Sequence, residues 1–240
     1  MSAKDSLCVA LDGSDRDWIL ATARELGSEV GWLKVGLEAF IAHGPTLVGD
    51  VAAFGPRVFL DLKLHDIPAT VERAATNCAA CGASMFTVHA AGGRAMLEAA
   101  AAGARSGAVG EKPRIVAVTV LTSLDGAALA ELDIPRAAAD LVGSWAKLAQ
   151  LCGLDGVVAS AQEAAALRRD RGNDFLIVTP GIRPESSSTD DQRRVVTPAD
   201  AIEAGADVLV VGRPITRAPS PLAAARGIVE EIASGQADQL

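Results

Sequence analysis

The sequence predicts a closed α/β barrel, and three observations carry that expectation. Eight short runs of β-branched and aliphatic residues recur along the 240 residues, Ala-rich helical segments lie between them, and ionisable side chains collect where the runs end. Near-continuous apolar runs suit strands covered on both faces, as in parallel sheets. Eight βα alternations are the count of the TIM (β/α)8 barrel. No linker, low-complexity tract or charge block divides the chain, so residues 1–240 read as a single domain.

In order, the runs are Leu7–Leu11, Trp32–Gly36, Arg57–Leu62, Ser84–His89, Arg114–Leu121, Gly156–Ala159, Asp174–Val178 and Asp207–Val211. After the first run, Trp18, Ile19, Thr22 and Leu26 share one helical face, with Ser14 as N-cap, Asp15 and Asp17 in the first turn and Gly27 as the stop. After the third, Asp66-Ile67-Pro68 reads as a cap followed by a first-turn proline. From Ala74 to Gly93 no side chain is charged, but Thr76, Asn77, Gly82, Ser84, Thr87 and His89 interrupt the stretch. It reads as a helix end, a turn and a strand rather than a membrane span. Cys78 and Cys81 lie late in that Ala-rich helix, with no second Cys/His pair at zinc spacing, and read as small core residues together with Cys8 and Cys152. The polar stretch from Arg183 to Pro198 follows the seventh run, and a loop of that length in a compact domain points to function.

Composition narrows the partners. Lys+Arg total 22 and Asp+Glu 30, a net charge of −8, which disfavours nucleic acid and anionic membrane as partners. Apolar residues make up 50% and charged residues 22%, unlike a disordered chain. Aromatics are 3% and Tyr is absent, leaving little to stack on single-stranded bases. The N-terminal stretch has no apolar segment of signal-peptide length, so a cytoplasmic location is expected. His43, His65 and His89 form no metal-spacing motif, and the Gly-rich patterns match neither a Walker loop nor a dinucleotide fingerprint, so neither metal nor cofactor is expected.

Asp12, Lys34, Asp61, Lys63, Arg183 and Arg213 lie within or just past their runs, at ends that a parallel barrel gathers on one face. Asp12, before Gly13 and Ser14, is either a turn residue or a ligand. Lys34 needs a carboxylate partner, because an unpaired ammonium in a buried strand is costly. Asp61 and Lys63, two apart, face the same space, as a structural salt bridge or as working groups. Asp66 is a helix cap or a site residue. Gly212-Arg213 and Gly181-Ile182-Arg183 place a glycine beside a guanidinium after the eighth and seventh runs, where such barrels often bind phosphate; either alone is equally a turn glycine beside a surface arginine. Together the residues imply a barrel enzyme for a phosphorylated small molecule.

Phe59-Leu60-Asp61-Leu62-Lys63-Leu64-His65-Asp66-Ile67-Pro68 resembles the orotidine 5′-phosphate decarboxylases of the short bacterial type. The resemblance extends to Val9–Asp12, Leu33–Gly36, Leu121–Ser123, Thr179–Arg183, Asp190–Val195 and Val211–Ile215. It implies that Asp12 and Lys34 hold ribose hydroxyls, and that Asp61, Lys63 and Asp66 surround the scissile carboxylate. Asp66, Ile67 and Thr70 would reach in from the second subunit of a homodimer. Thr122, or Ser123 beside it, would contact the pyrimidine, while Arg183, Gln192, Gly212 and Arg213 would take the phosphate side. Ala69 stands where many relatives would carry Asn. The implied reaction yields uridine 5′-phosphate, the last step of de novo pyrimidine biosynthesis, by loss of CO₂ from C6 and protonation there by Lys63 without cofactor. The nearest rival is a metal-dependent aldolase or decarboxylase for a sugar phosphate, since related sugar-phosphate barrels share D-x-K-x-x-D.

Overall fold

The computed structural model describes residues 1–184 and 196–237. Strands β1 (Leu7–Ala10), β2 (Trp32–Gly36), β3 (Arg57–Leu64), β4 (Met85–His89), β5 (Arg114–Val118), β6 (Gly156–Val158), β7 (Leu176–Pro180) and β8 (Val208–Val211) are parallel and close in sequence order. The barrel shuts where β1 meets β8, with Cys8 opposite Val210. Around it run α1 (Arg16–Leu26), α2 (Leu37–His43), α3 (Thr46–Ala52), α4 (Pro68–Ala80), α5 (Gly93–Gly107), α6 (Gly126–Glu131), α7 (Ala138–Leu151), α8 (Ala161–Arg171), α9 (Pro198–Glu203), α10 (Arg213–Thr216) and α11 (Pro221–Ala237). The expected (β/α)8 barrel is the observed one. Among the described residues, no helix is long and apolar enough to cross a membrane.

Alternation along each strand splits the core in two. One set, including Cys8, Ala10, Trp32, Phe59, Met85, Val116, Val178 and Val208, fills the barrel interior. The other, larger set joins the outer strand faces to the helices. Small residues let those helices come close: a Cβ on Gly103 would overlap the Glu72 carbonyl oxygen, and one on Gly107 that of Thr76. Helices α4 and α5 therefore meet backbone to backbone.

Local capping corrects two expectations. Asp15, not Ser14, caps α1, its Oδ1 accepting from the Trp18 N–H at 3.1 Å. The Ser14 carbonyl instead accepts from His43 Nε2 at 2.8 Å. Ile67 is the N-cap of α4, with Pro68 in the first turn as expected. The Asp66 carboxylate turns back to its neighbour and accepts the Ile67 N–H at 2.6 Å, so it is not the cap. Run ends also move: β5 stops at Val118 rather than Leu121, and β7 spans Leu176–Pro180 rather than Asp174–Val178. The Thr119 hydroxyl donates to the Val158 carbonyl at 2.8 Å, and beyond it the chain leaves the ladder.

Candidate active site

Four charged side chains, one just past β1, one in β2 and two in β3, form an alternating chain at the C-terminal mouth of the barrel. Lys63 Nζ donates to both oxygens of Asp61 at 2.9 Å. Lys34 Nζ lies 3.8 Å from Asp61 Oδ2 and donates to Asp12 Oδ1 at 2.8 Å. Strand register sets this up, because Ala10 pairs with Lys34 and Gly36 with Asp61. Gly36 is the unforeseen part: a Cβ there would stand 3.0 Å from both Asp12 Oδ1 and Lys34 Nζ, tight enough to force the pair to shift. The residue matters for what it lacks.

The burial gradient along this chain is steep. The Lys34 side chain is 10% exposed, Asp61 15%, Lys63 33% and Asp12 61%. Burial alone would depress the Lys34 pKa, but the Asp12 and Asp61 carboxylates outweigh it and raise the value above that of an ordinary lysine. The ammonium is therefore charged. At an effective dielectric of about 20, a pair 4 Å apart attracts by about 4 kcal/mol. Taking each ion out of water costs several kcal/mol, so such clusters contribute little net stability. Their value lies in placing charge.

Lys63 is held in a conformation that L-residues avoid. Its φ is +51°, in the left-handed region, at a cost of roughly 1–2 kcal/mol. Backbone strain of this kind gathers at functional sites. It arises from a bulge: Leu60 pairs with Phe86 and Leu64 with Val88, so Asp61, Leu62 and Lys63 together oppose the single residue Thr87. The expectation that Asp61 and Lys63 meet is met, through this bulge rather than by plain strand alternation.

Two compartments flank the charged chain. One, of about 220 Å³, has Lys34, Asp61, Lys63 and Thr122 on its polar side and side chains such as Val118, Leu121 and Val158 on its apolar side. Ser123 does not line it. The other, of about 450 Å³, is lined by Asp12, Gly212 and Arg213, by Trp18, which the sequence pattern placed on the apolar face of the first helix, and by Glu38 and Arg217, which nothing in that pattern singled out. Gly212 is the N-cap of α10 and Arg213 its first, exposed residue. Arg183 is 8% exposed, and its N–H donates to the Val196 carbonyl at 3.2 Å, tying the two ends of the polar stretch together. Gln192 lies outside the described residues.

Beside Lys63, the His65 and His89 rings stack 5.1 Å apart, and Trp145 meets His89 edge-on. Burial first, then the neighbouring His65 and Lys63, depress the His89 pKa, so this ring is neutral near pH 7. Among the described residues, no three His, Cys, Asp or Glu side chains converge as a donor set for a metal.

Residues 5–228 match the model of the orotidine 5′-phosphate decarboxylase / HUMPS family. The chain belongs to this family. It is 50% identical to the orotidine 5′-phosphate decarboxylase of Heliobacterium modesticaldum, over 99% of each chain. With that of Moorella thermoacetica it shares 52% identity, over 97% of this chain and 94% of the relative. The crystal structure of the Lactobacillus acidophilus enzyme superposes with a TM-score of 0.83 at 38% identity, covering 94% of this chain and 98% of that one.

Of the residues that the family resemblance singles out, the fold brings Lys34, Asp61, Lys63 and Thr122 to one compartment and Asp12, Gly212 and Arg213 to the other, with the Asp12–Lys34 pair joining the two. Asp66, Ile67 and Thr70 are set apart. Ile67 is 66% exposed, Thr70 half-buried in the first turn of α4, and among the described residues the Asp66 carboxylate bonds only its neighbour's N–H. Sequence reasoning passed over Gly36, Thr87 and Arg217. The glycine carried one signal, its place two residues after a buried lysine.

Proposed function

We propose that this chain, acting as a single (β/α)8 domain, is a carboxy-lyase converting orotidine 5′-phosphate to uridine 5′-phosphate with no metal or organic cofactor. The observation that carries the reading is the alternating Asp12–Lys34–Asp61–Lys63 chain at the barrel mouth, in a chain about half identical to enzymes of that name. Asp12 and Lys34 hold the ribose, and Thr122 the pyrimidine edge. Arg183, Gln192, Gly212 and Arg213 receive the phosphate, whose charge the two arginines complement.

In the reaction, the bond from C6 to the carboxylate carbon breaks, CO₂ leaves, and the electron pair stays on C6. The Lys63 ammonium stabilises that carbanion and delivers a proton to it; solvent then reprotonates the amine. Fixed charge in a site that excludes water does this work without an electron sink, and removing one such donor typically costs 10²–10³ in rate. Binding of the distant phosphate assembles the site.

The enzyme works as a homodimer in which Asp66, with Ile67 and Thr70, completes the partner's site. Support comes from the exposed Ile67 and from an Asp66 carboxylate that accepts its neighbour's N–H and, among the described residues, forms no ion pair with its own Lys63. Four free cysteines fit a reducing, cytoplasmic setting. Neither nucleic acid nor membrane is a partner of this acidic chain.

Purified protein treated with EDTA should turn orotidine 5′-phosphate over, followed by the ultraviolet absorbance change of the base. A folded sample without turnover overturns the assignment, and activity that returns only with a divalent ion moves it to the metal-dependent sugar-phosphate branch. Mixing inactive Lys63→Ala and Asp66→Ala subunits should restore part of the activity. No recovery after subunit exchange removes the shared site.

A further inference from the structure

Thr87 lies in the middle of β4, fully buried, on the barrel's inner face. The bulge in β3 sets three residues against it, so Lys63 N–H has no strand carbonyl opposite. The Thr87 hydroxyl stands in for that carbonyl and accepts the Lys63 N–H at 2.7 Å. Its own hydrogen goes to Asp61 Oδ1 at 3.0 Å. A hydroxyl has a single hydrogen to give, so this arrangement fixes both the direction of the bond and the rotamer of the carboxylate. One oxygen thus holds the backbone of Lys63 in its left-handed conformation and the carboxylate that receives the Lys63 ammonium.

We propose that Thr87 is a positioning residue for the Asp61–Lys63 pair, setting where the proton-bearing nitrogen stands. The role rests on the decarboxylase reading for its kinetic consequence, though not for its geometry. Valine keeps the shape of threonine but neither donates nor accepts, leaving the Lys63 N–H unanswered and Asp61 free to rotate. Serine keeps the hydroxyl and loses only a methyl group. Nitrogen placement acts on the chemical step, whereas ribose and phosphate contacts lie elsewhere, so the cost falls on kcat and spares KM.

Thr87→Val should lower kcat about 10²-fold, the scale of a misplacement near 1 Å, with KM within about twofold of the parent, and Thr87→Ser should recover most of the rate. A crystal structure of Thr87→Val should show Lys63 out of the left-handed region, or its Nζ no longer within hydrogen-bond reach of Asp61. Unchanged kcat, an equal loss in the valine and serine variants, or a loss confined to KM overturns the role. If Thr87→Val does not fold, Thr87→Cys, with its weakly bonding thiol, replaces it against Thr87→Ser under the same criteria. Should the parent enzyme itself fail to turn over orotidine 5′-phosphate, the decarboxylase reading falls. The crystal comparison then still decides whether Thr87 sets the geometry.

Discussion

At the N-terminal end of the barrel, Asp155 and Asp207 each direct a carboxylate oxygen at the backbone N–H of the preceding strand, Ile115 and Ile177, both at 2.7 Å. Lys112 and Arg168 complete these clips at 3.0 and 2.6 Å. There too, Arg57 pairs with Asp5 at 2.7 Å and lies over the Trp32 ring, 4.1 Å from its centroid. At the C-terminal end, Asp12, Lys34, Asp61 and Lys63 bond mainly one another and border an open cleft. Chain direction thus separates two uses of the same residue types. Charge before a strand fastens the sheet, while charge after it is left facing what enters.

Removing Lys63 tests that division most severely. Lys63→Ala should lower kcat by about 10³-fold or more while moving the melting temperature by less than about 3 °C; unfolding of this variant would erase the distinction. Asp207→Ala should do the reverse. It strands the Ile177 N–H and removes one partner of Arg168, at a cost of about 2 kcal/mol, or about 5 °C in melting temperature, with kcat within about twofold at 25 °C. Thermal scans and steady-state rates on both proteins decide the matter.

The smallest effects are in pH dependence. Because the folded-state His89 pKa lies below the ordinary value, its contribution to stability is complete above about pH 6.5 and is lost as pH falls through the folded value. His89→Gln should flatten the acid limb of a melting-temperature profile, by less than the Asp207 change. Lys34 has the opposite sign. Its raised pKa gives stability that is complete below about pH 10 and is lost as pH climbs through the folded value. Lys34→Met should remove that alkaline decline.

The barrel was legible because strands buried on both faces leave unbroken apolar runs; Trp32–Gly36 was read to both its ends. Run ends failed where the apolar run outlasted pairing. Val120 and Leu121 are apolar because they line the cleft, not because they belong to β5. Caps failed where two capping residues adjoin: Ser14 and Asp15 read alike, and only the local backbone chooses between them. Within the site, Asp12, Lys34, Asp61 and Lys63 were visible as charges in apolar surroundings. Thr87 was not, since one threonine in Met85–His89 suits a strand on propensity alone. Its importance comes from an extra stretch of chain across the sheet, which a run of letters does not display.

The seam between α4 and α5 has a consequence for anyone reshaping this protein. Helix α4 begins just after the Lys63–Asp66 segment, and Gly103 and Gly107 leave no space into which it could shift. A library that randomises the loops at the barrel mouth can vary freely while those two glycines stay constant. Once either acquires a side chain, the frame that carries Asp66 must move, and every variant above it is then judged on altered foundations.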